Sequence, residues 1–121
     1  MSWIDNPMIA HLDRFLDVAT YRQMLIASNV ANVDTPGYHT VDINFNQALR
    51  QAEEAQSSRG IDNDLAGDVR PVQGLLERPD GNNVDVDREG LLLAQTQMQF
   101  SEASALLREE FNRLQMAIKG I

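Results

Sequence analysis

The chain has no cysteine among its 121 residues, which excludes disulfides, thiolate catalysis and cysteine-based zinc or iron–sulfur sites. Its two histidines, His11 and His39, are too few for a histidine-rich metal site. Positive charge is scarce as well, since 10 Lys and Arg face 18 Asp and Glu and leave a net charge of −8. A surface of that sign repels phosphates, so we expect no nucleic acid and no anionic membrane among its partners.

Long apolar runs are also missing, and no segment approaches the roughly 18–20 apolar residues that span a bilayer. We therefore expect no direct membrane insertion. The N-terminus is a poor secretory signal, because Asp5 stands where positive charge is expected. Ordinary rules keep such a protein in the cytoplasm, although a specialised export route leaves no trace of this kind.

The first part of the chain, from Pro7 to Asn32, predicts one amphipathic helix. Asn6 is a good N-cap, and Pro7 suits the first turn, where a missing N–H costs nothing. Pro36 disfavours the α conformation at Thr35, so the helix should end near Asn32. Spacings of three and four residues predict a seam made of Ile9, Leu12, Leu16, Ala19, Gln23, Ile26, Val30 and Val33.

The last part of the chain predicts a second and longer helix. Asp85 or Asp87 can cap its first turn, and Glu89 favours the positive end of the helix dipole. A helix from Asp87 to Lys119 would be about 50 Å long, and such a length calls for a partner helix. Its predicted seam contains Leu93, Gln97, Phe100, Ser104, Leu107, Phe111, Leu114, Ile118 and Ile121.

Two interpretations of these seams stay open. They form the core of a hairpin within one chain, or they pack against neighbouring copies. Gln23, Gln97 and Ser104 interrupt the seams, either to specify register as buried polar residues or because they lie exposed at a seam edge. We favour contacts between copies for the last turns of the second helix, because it extends beyond its shorter partner.

The middle, residues 34–84, holds five of the seven glycines and three of the four prolines. A short helix is predicted from Asp42 to Gln56, with Phe45, Ala48, Leu49 and Ala52 on one face. The rest indicates turns and one short edge strand near Val69–Leu76. The predicted fold is mainly α: long terminal helices that pack as a hairpin or coiled coil, residues 1–33 and 85–121, joined by the loop-rich segment 34–84.

The sequence contains no residue pattern that is typical of an active site. No glycine pattern surrounds a serine nucleophile, and no glycine-rich phosphate loop is present. The stretch from Asp62 begins like a calcium loop, but Ala66 and Gln73 occupy positions that require oxygen ligands. We assign the two histidines a solvated or hydrogen-bonded structural role. The sequence therefore predicts no enzyme, no metal site and no cofactor.

A ten-residue string follows the first helix, and it ends in a proline–glycine turn. Pro36 and Gly37 suit a type II turn with Gly37 at positive φ. Asn29 and Asn32 can bond the free carbonyls of the helix end, and Tyr38 offers a ring with a hydroxyl. This string, with the motif residues Asn29, Ala31, Asn32, Thr35, Pro36, Gly37 and Tyr38, closely resembles the signature of bacterial flagellar rod and hook proteins.

A second motif opens the C-terminal helix and consists of Asn82, Asn83, Val84, Asp85, Asp87 and Glu89. This motif and the short chain length are similar to those of the proximal rod members of that family. Two sister proteins among these members share the proline–glycine turn, and the aspartates of this motif favour one of them. The resemblance covers about residues 8–45 and 80–119 and is weak through 46–79. Gly90 departs from the family, which usually has a larger apolar residue there, so the start of the helix is less well defined.

The resemblance implies a structural component of the flagellar basal body rod, exported by the flagellar type III apparatus and assembled in the periplasm. It implies copies of the chain, other rod proteins and the rod–membrane-ring adaptor as partners. The assembly seam would be formed by Leu12, Leu16, Ile26, Val30, Leu93, Phe100, Leu107, Phe111, Leu114 and Ile118. The alternative is a soluble helical-hairpin adaptor or export chaperone, but an ordinary hairpin needs only a short loop.

Overall fold

The computed structural model describes residues 6–55 and 65–120. Helix α1 spans Pro7–Ala31, strand β1 spans Val41–Asp42, and helix α2 spans Phe45–Ala55. Strand β2 spans Arg70–Pro71, and helix α3 spans Val86–Lys119. The two long terminal helices pack together, which confirms the mainly α prediction. The first three residues of the calcium-like stretch from Asp62, and Ile121 of the predicted seam, lie outside the described residues.

Helix α1 begins and ends as its sequence predicts. The Asn6 side chain accepts hydrogen bonds from the backbone N–H of Met8 and Ile9, and Pro7 occupies the first turn. At the other end Asn32 is the C-cap, and its N–H bonds to the carbonyls of Ser28 and Asn29. Capping at both ends satisfies backbone groups that a helix leaves unpaired.

Helix α3 has 34 residues, and Asp85 is its N-cap, accepting from the N–H of Asp87 and Arg88. Its C-cap is Gly120 in the left-handed conformation, with φ +73°. Gly90 lies inside the helix on an exposed face and does not disturb its start. Neither α3 nor any other helix within residues 6–55 and 65–120 is long and apolar enough to cross a membrane.

The buried face of α3 is shifted from the predicted seam. Its fully covered residues are Glu89, Thr96 and Ala103, at seven-residue spacing. The predicted Leu93, Phe100, Leu107 and Leu114 are half-buried, whereas Gln97 is exposed and Ser104 is intermediate. Gln97 is therefore an exposed edge residue within the single chain. The heptad period was right, but the small and polar residues at the closest approach were not recognised.

Helix α1 buries two faces, where the sequence analysis expected one. Ile9, Leu12, Ala19 and Ile26 of the predicted seam are buried, Leu16 is half-buried, and Val30 is 41% exposed. A second stripe, Val18, Tyr21 and Leu25, forms a core cluster with Ile43, Ala48, Ala52 and Leu65. Phe15 adds an edge-to-face contact with Phe45, with ring centroids 4.9 Å apart. The middle segment therefore contributes to the core.

Two details of the middle segment differ from the prediction. Helix α2 begins at Phe45, because Asn44 accepts a hydrogen bond from the N–H of Gln47 in the manner of an N-cap. Asp42 lies instead in β1, which pairs antiparallel with β2 in the register Val41 to Pro71. The predicted apolar face of α2 is confirmed, with Ala48 and Ala52 buried and Phe45 and Leu49 half-buried.

The antiparallel helices differ in length, and this leaves the end of α3 without α1 beside it. The Asn29 side chain bonds to Glu89, which fixes the two helices at the same level there. Because both helices rise by 1.5 Å per residue, the start of α1 lies at the level of about residue 111. Residues 112–119, about 12 Å of helix, therefore extend beyond α1. We call this part of α3 the overhang.

Candidate functional site

The site is the corner at the other end of the hairpin, which we define as residues 29–40 together with residues 78–89. Its central turn has the predicted geometry, because Gly37 has φ +77°. The N–H of Tyr38 donates to the carbonyl of Thr35 across that turn at 3.2 Å. Pro36 and Gly37 thus direct the chain away from α1 toward β1.

Asn29 is the buried centre of the corner, with 1% of its surface exposed. Its amide nitrogen donates to the carbonyl of Val41 at 2.9 Å, and its amide oxygen accepts from the N–H of Val41 at 3.1 Å. The same oxygen accepts from the Tyr38 hydroxyl at 3.0 Å. The side chain thus binds β1 much as a neighbouring strand would, and it fixes α1 to the residues after the turn.

A buried carboxylate ties the corner to α3. Glu89 is fully buried, and its Oε1 accepts a 2.6 Å hydrogen bond from the Asn29 amide. Its Oε2 accepts from the Arg88 guanidinium at 2.7 Å. Arg88 also lies 3.7 Å from Asp42, which forms a two-bond pair with Arg22 at 2.9 and 3.1 Å. This network joins α1, β1 and α3, and Glu89 lies in the first turn of α3.

Asn82 caps the end of α1 from a distant part of the chain. Its amide nitrogen donates to the carbonyls of Asn32 and Thr35, at 2.9 Å each, and its amide oxygen accepts from the N–H of Val84. Arg78 adds a hydrogen bond to the carbonyl of Val33. These bonds satisfy carbonyls that would otherwise be unpaired where the helix stops.

Asn83 and the turn before it complete the corner. The Asn83 side-chain oxygen accepts from the N–H of Thr40 at 2.7 Å, and the backbone N–H of Asn83 donates to the carbonyl of Tyr38. The N–H of Gly37 donates to the carbonyl of Asp80 at 2.8 Å. Gly81, at φ +86°, passes so close that a Cβ there would lie 3.3 Å from the Gly37 Cα. The two halves of the corner therefore meet backbone to backbone.

The predicted motif residues come together here, but they take different positions. Asn29, Asn82, Asn83, Val84 and Glu89 are buried, and Asn32 and Tyr38 are intermediate. Ala31, Thr35, Pro36, Gly37, Asp85 and Asp87 are exposed. The asparagine amides form hydrogen bonds to the backbone, and the exposed residues lie on the outer surface of the corner. Of the seam residues, Phe111 and Ile118 are 42% and 77% exposed.

Sequence reasoning missed the burial of Glu89 and the contributions of Arg22, Asp42 and Arg78. A carboxylate directly after Arg88 in the first turn was the available signal, but burial depends on the distant Asn29. Both histidines contact carboxylates, His11 bonding to Glu53 and His39 lying 3.7 Å from Glu77.

The described ranges contain no group of three or more metal-ligating side chains. The side chains of the corner form hydrogen bonds that hold α1, β1 and α3 in fixed positions relative to one another.

Comparison with known proteins finds relatives that match this chain over most of its length. A family model described as Flagella basal body rod protein matches residues 21–39, the end of α1 and the turn. The Flagellar basal body rod protein FlgB of Borrelia hermsii is 37% identical, with 92% of this chain and 93% of the relative covered.

The FlgB of Bacillus subtilis (strain 168) is 30% identical, with 93% of each chain covered. That of Salmonella typhimurium (strain LT2) is 27% identical, covering 87% of this chain and 88% of the relative. The class is therefore the flagellar basal body rod proteins. Within it, this chain belongs to the FlgB family, and a flagellar location follows.

Proposed function

We propose that this chain is a subunit of the proximal rod of the flagellar motor, and that copies of it polymerise through their terminal helices into the base of the drive shaft. The proposed role is structural and non-catalytic. In this proposal residues 1–33 and 85–121 form the rod core, and 34–84 is a connecting segment. The observation that supports it most directly is the overhang, where the apolar seam of α3 continues past the start of α1 with Ile118 77% exposed.

The corner supports the same role. A subunit of a shaft that transmits torque needs helices fixed relative to one another. The corner provides this through buried hydrogen bonds from Asn29, Asn82 and Asn83 rather than through a flexible loop. We propose that the rod depends on the residues of the corner motif and of the assembly seam.

Partners and location complete the proposal. The subunit would contact copies of itself, other rod proteins and the rod–membrane-ring adaptor, and it would reach the periplasm through the flagellar type III export apparatus. Its relatives are named as basal body rod proteins, which supports the flagellar part of this location.

Leu114→Asp tests the proposal, because Leu114 is half-buried near the level where α1 begins. We expect the purified variant to keep the circular dichroism spectrum of the wild type, yet to be exported and absent from purified basal bodies. The cells, which lack their own copy of the gene, should not swim. The matched control is Leu76→Asp, since Leu76 is 92% exposed in the connecting segment.

Two results would contradict the proposal. Wild-type incorporation of Leu114→Asp would remove the seam from assembly. Loss of soluble helical monomer would assign the seam to the core of the single chain.

A further inference from the structure

Asp80 and Gly81 form a dipeptide that occurs once in the chain and lies in a turn of the corner. Of all the aspartates and asparagines in the sequence, only Asp80 is followed by glycine. Gly81 has no side chain to shield its backbone nitrogen, and the Asp80 side chain beside it is 40% exposed. Such a pair is chemically reactive, because the glycine nitrogen can attack the aspartate side chain and close a five-membered ring.

The reaction has two steps and requires only water. In the first step the Gly81 nitrogen bonds to Cγ of the protonated Asp80 carboxyl group, whose hydroxyl leaves as water with the Gly81 proton, and a succinimide forms. In the second step a water molecule opens the ring. Opening at Cγ restores aspartate. Opening at the former backbone carbonyl gives isoaspartate, in which the main chain runs through Cβ and Cγ and the former carbonyl carbon belongs to a free carboxylate.

The closed corner holds the reacting groups in hydrogen bonds that oppose the first step. The N–H of Gly81 donates to the carbonyl of Arg78 at 2.8 Å, and ring closure removes this proton. Oδ1 of Asp80 accepts from the N–H of Asn82 at 3.0 Å, and the carbonyl of Asp80 accepts from the N–H of Gly37 at 2.8 Å. Ring closure needs the side chain and the Gly81 nitrogen to leave these partners, so the turn has to open first.

Isoaspartate at position 80 does not fit the closed corner. It lengthens the main chain before Gly81 by one carbon–carbon bond of about 1.5 Å. The turn has no room for this length, because a Cβ on Gly81 would already lie 3.3 Å from the Gly37 Cα. The change also moves the carbonyl that accepts from Gly37 out of the main chain. It further displaces the neighbouring Asn82, whose amide caps the end of α1.

We propose that Asp80 is a modification site at which isoaspartate forms spontaneously while the corner is open, and that the modified chain no longer closes the corner. The closed corner protects the site, whereas a chain that stays open for long loses its ability to fold correctly. This property belongs to the single chain and does not depend on the proposed function.

The first experiment measures isoaspartate during incubation of the purified full chain at neutral pH. A methyltransferase specific for isoaspartyl carboxyl groups, with radioactive S-adenosylmethionine, gives the amount. Electron-transfer fragmentation of a proteolytic peptide from an untreated sample identifies the residue. We expect slow formation in the folded wild type and at least about tenfold faster formation in urea, because the rate follows the open population, with the isoaspartate at position 80 in both cases.

Three variants test the role of the corner. Asn82→Ala removes the cap of α1, so it should form isoaspartate about tenfold faster than the wild type in native buffer. Asn112→Ala, at an exposed position of α3, is the matched control and should keep the wild-type rate. Asp80→Glu should reduce the signal to background, since a glutamate side chain would have to close a larger ring. If circular dichroism shows that Asn82→Ala is unfolded, the wild type at intermediate urea concentrations gives the same test, because its rate should rise with the unfolded fraction.

The second experiment measures the effect of the modification on folding. Chains incubated in urea are separated into aspartyl and isoaspartyl forms and returned to native buffer. We expect the isoaspartyl form to unfold at a lower urea concentration than the aspartyl form from the same incubation. Repeated treatment with the methyltransferase and unlabelled S-adenosylmethionine converts isoaspartate back to aspartate, and it should restore the midpoint.

Three results would overturn the proposal. Equal rates in the folded and the unfolded wild type would mean that the corner does not protect the site. Isoaspartate mainly at a residue other than Asp80 would place the modification elsewhere. An isoaspartyl form with the same midpoint as the aspartyl form would show that the corner tolerates the longer main chain. None of these results concerns assembly, so the proposed function would stand in each case.

Discussion

The amide of Asn29 donates to the carboxylate of Glu89 at 2.6 Å, across 60 residues of sequence and inside a buried site. This bond links the end of α1 to the start of α3. Because the same side chain also bonds both backbone groups of Val41, one asparagine holds three elements together.

Replacement of Asn29 by alanine should therefore lower the free energy of unfolding by about 2–4 kcal/mol, since it removes one of the two hydrogen-bond partners of the buried Glu89 carboxylate and the partner of both part-buried backbone groups of Val41. The matched control is Asn112→Ala, at an exposed position of α3, which should change stability by less than about 0.5 kcal/mol. Urea denaturation followed by circular dichroism measures both. Equal midpoints for the two variants would show that the Asn29 bonds contribute little.

The pair Arg22 and Asp42 should show clear energetic coupling. Its side chains are only 17% and 13% exposed, and two hydrogen bonds join them. We expect a coupling energy of about 1–3 kcal/mol from a double-mutant cycle of Arg22→Ala and Asp42→Ala. The pair Arg113 and Glu110 serves as the control, because its arginine is 68% exposed, and there the coupling should stay below about 1 kcal/mol. Additive effects at Arg22 and Asp42 would contradict this interpretation.

Gly37→Val should impair rod assembly more than it lowers helix content. A β-branched residue is strongly disfavoured at the φ of +77° found here, although no atom lies within 4 Å of the new Cβ. Gly74→Val is the matched control, because Gly74 has φ +81° and equally open space but lies outside the corner.

Swimming and circular dichroism should separate the two glycine variants. Both are expected to lose a similar amount of stability, roughly 1–2 kcal/mol or more. Only Gly37→Val should abolish swimming. Normal motility of that variant would mean that the turn geometry does not matter for assembly.

Gly90→Ala should stabilise the chain by about 0.5–1 kcal/mol, because glycine is a poor residue inside a helix and no atom lies within 4 Å of the added methyl group. Ala94→Gly, at another exposed position of α3, is the reverse change and should destabilise by a similar amount. The midpoints of urea unfolding give both values. A destabilising effect of Gly90→Ala would indicate a backbone constraint that the structure does not contain.

Local chemistry explains which features the sequence could predict. Asn6, Pro7, Asp85 and the turn at Gly37 act through neighbours within four residues, so composition and spacing identified them. The burial of Glu89 and the second face of α1 depend on contacts with residues dozens of positions away. The same holds for β1, because Val41 joins a strand only where Pro71 and Asn29 both meet it.

The corner is formed by residues far apart in sequence, and this determines the order in which parts of the chain fold. Asn82 bonds to Asn32 across 50 residues, so that bond can form only after a long loop has closed, whereas single helical turns form much earlier. The surface around Val30 and Val86 therefore comes into existence late, in the same step that fixes α1 beside α3. An unfolded copy lacks this surface, so if the proposed rod function is right, a copy can join the rod only after its corner has closed.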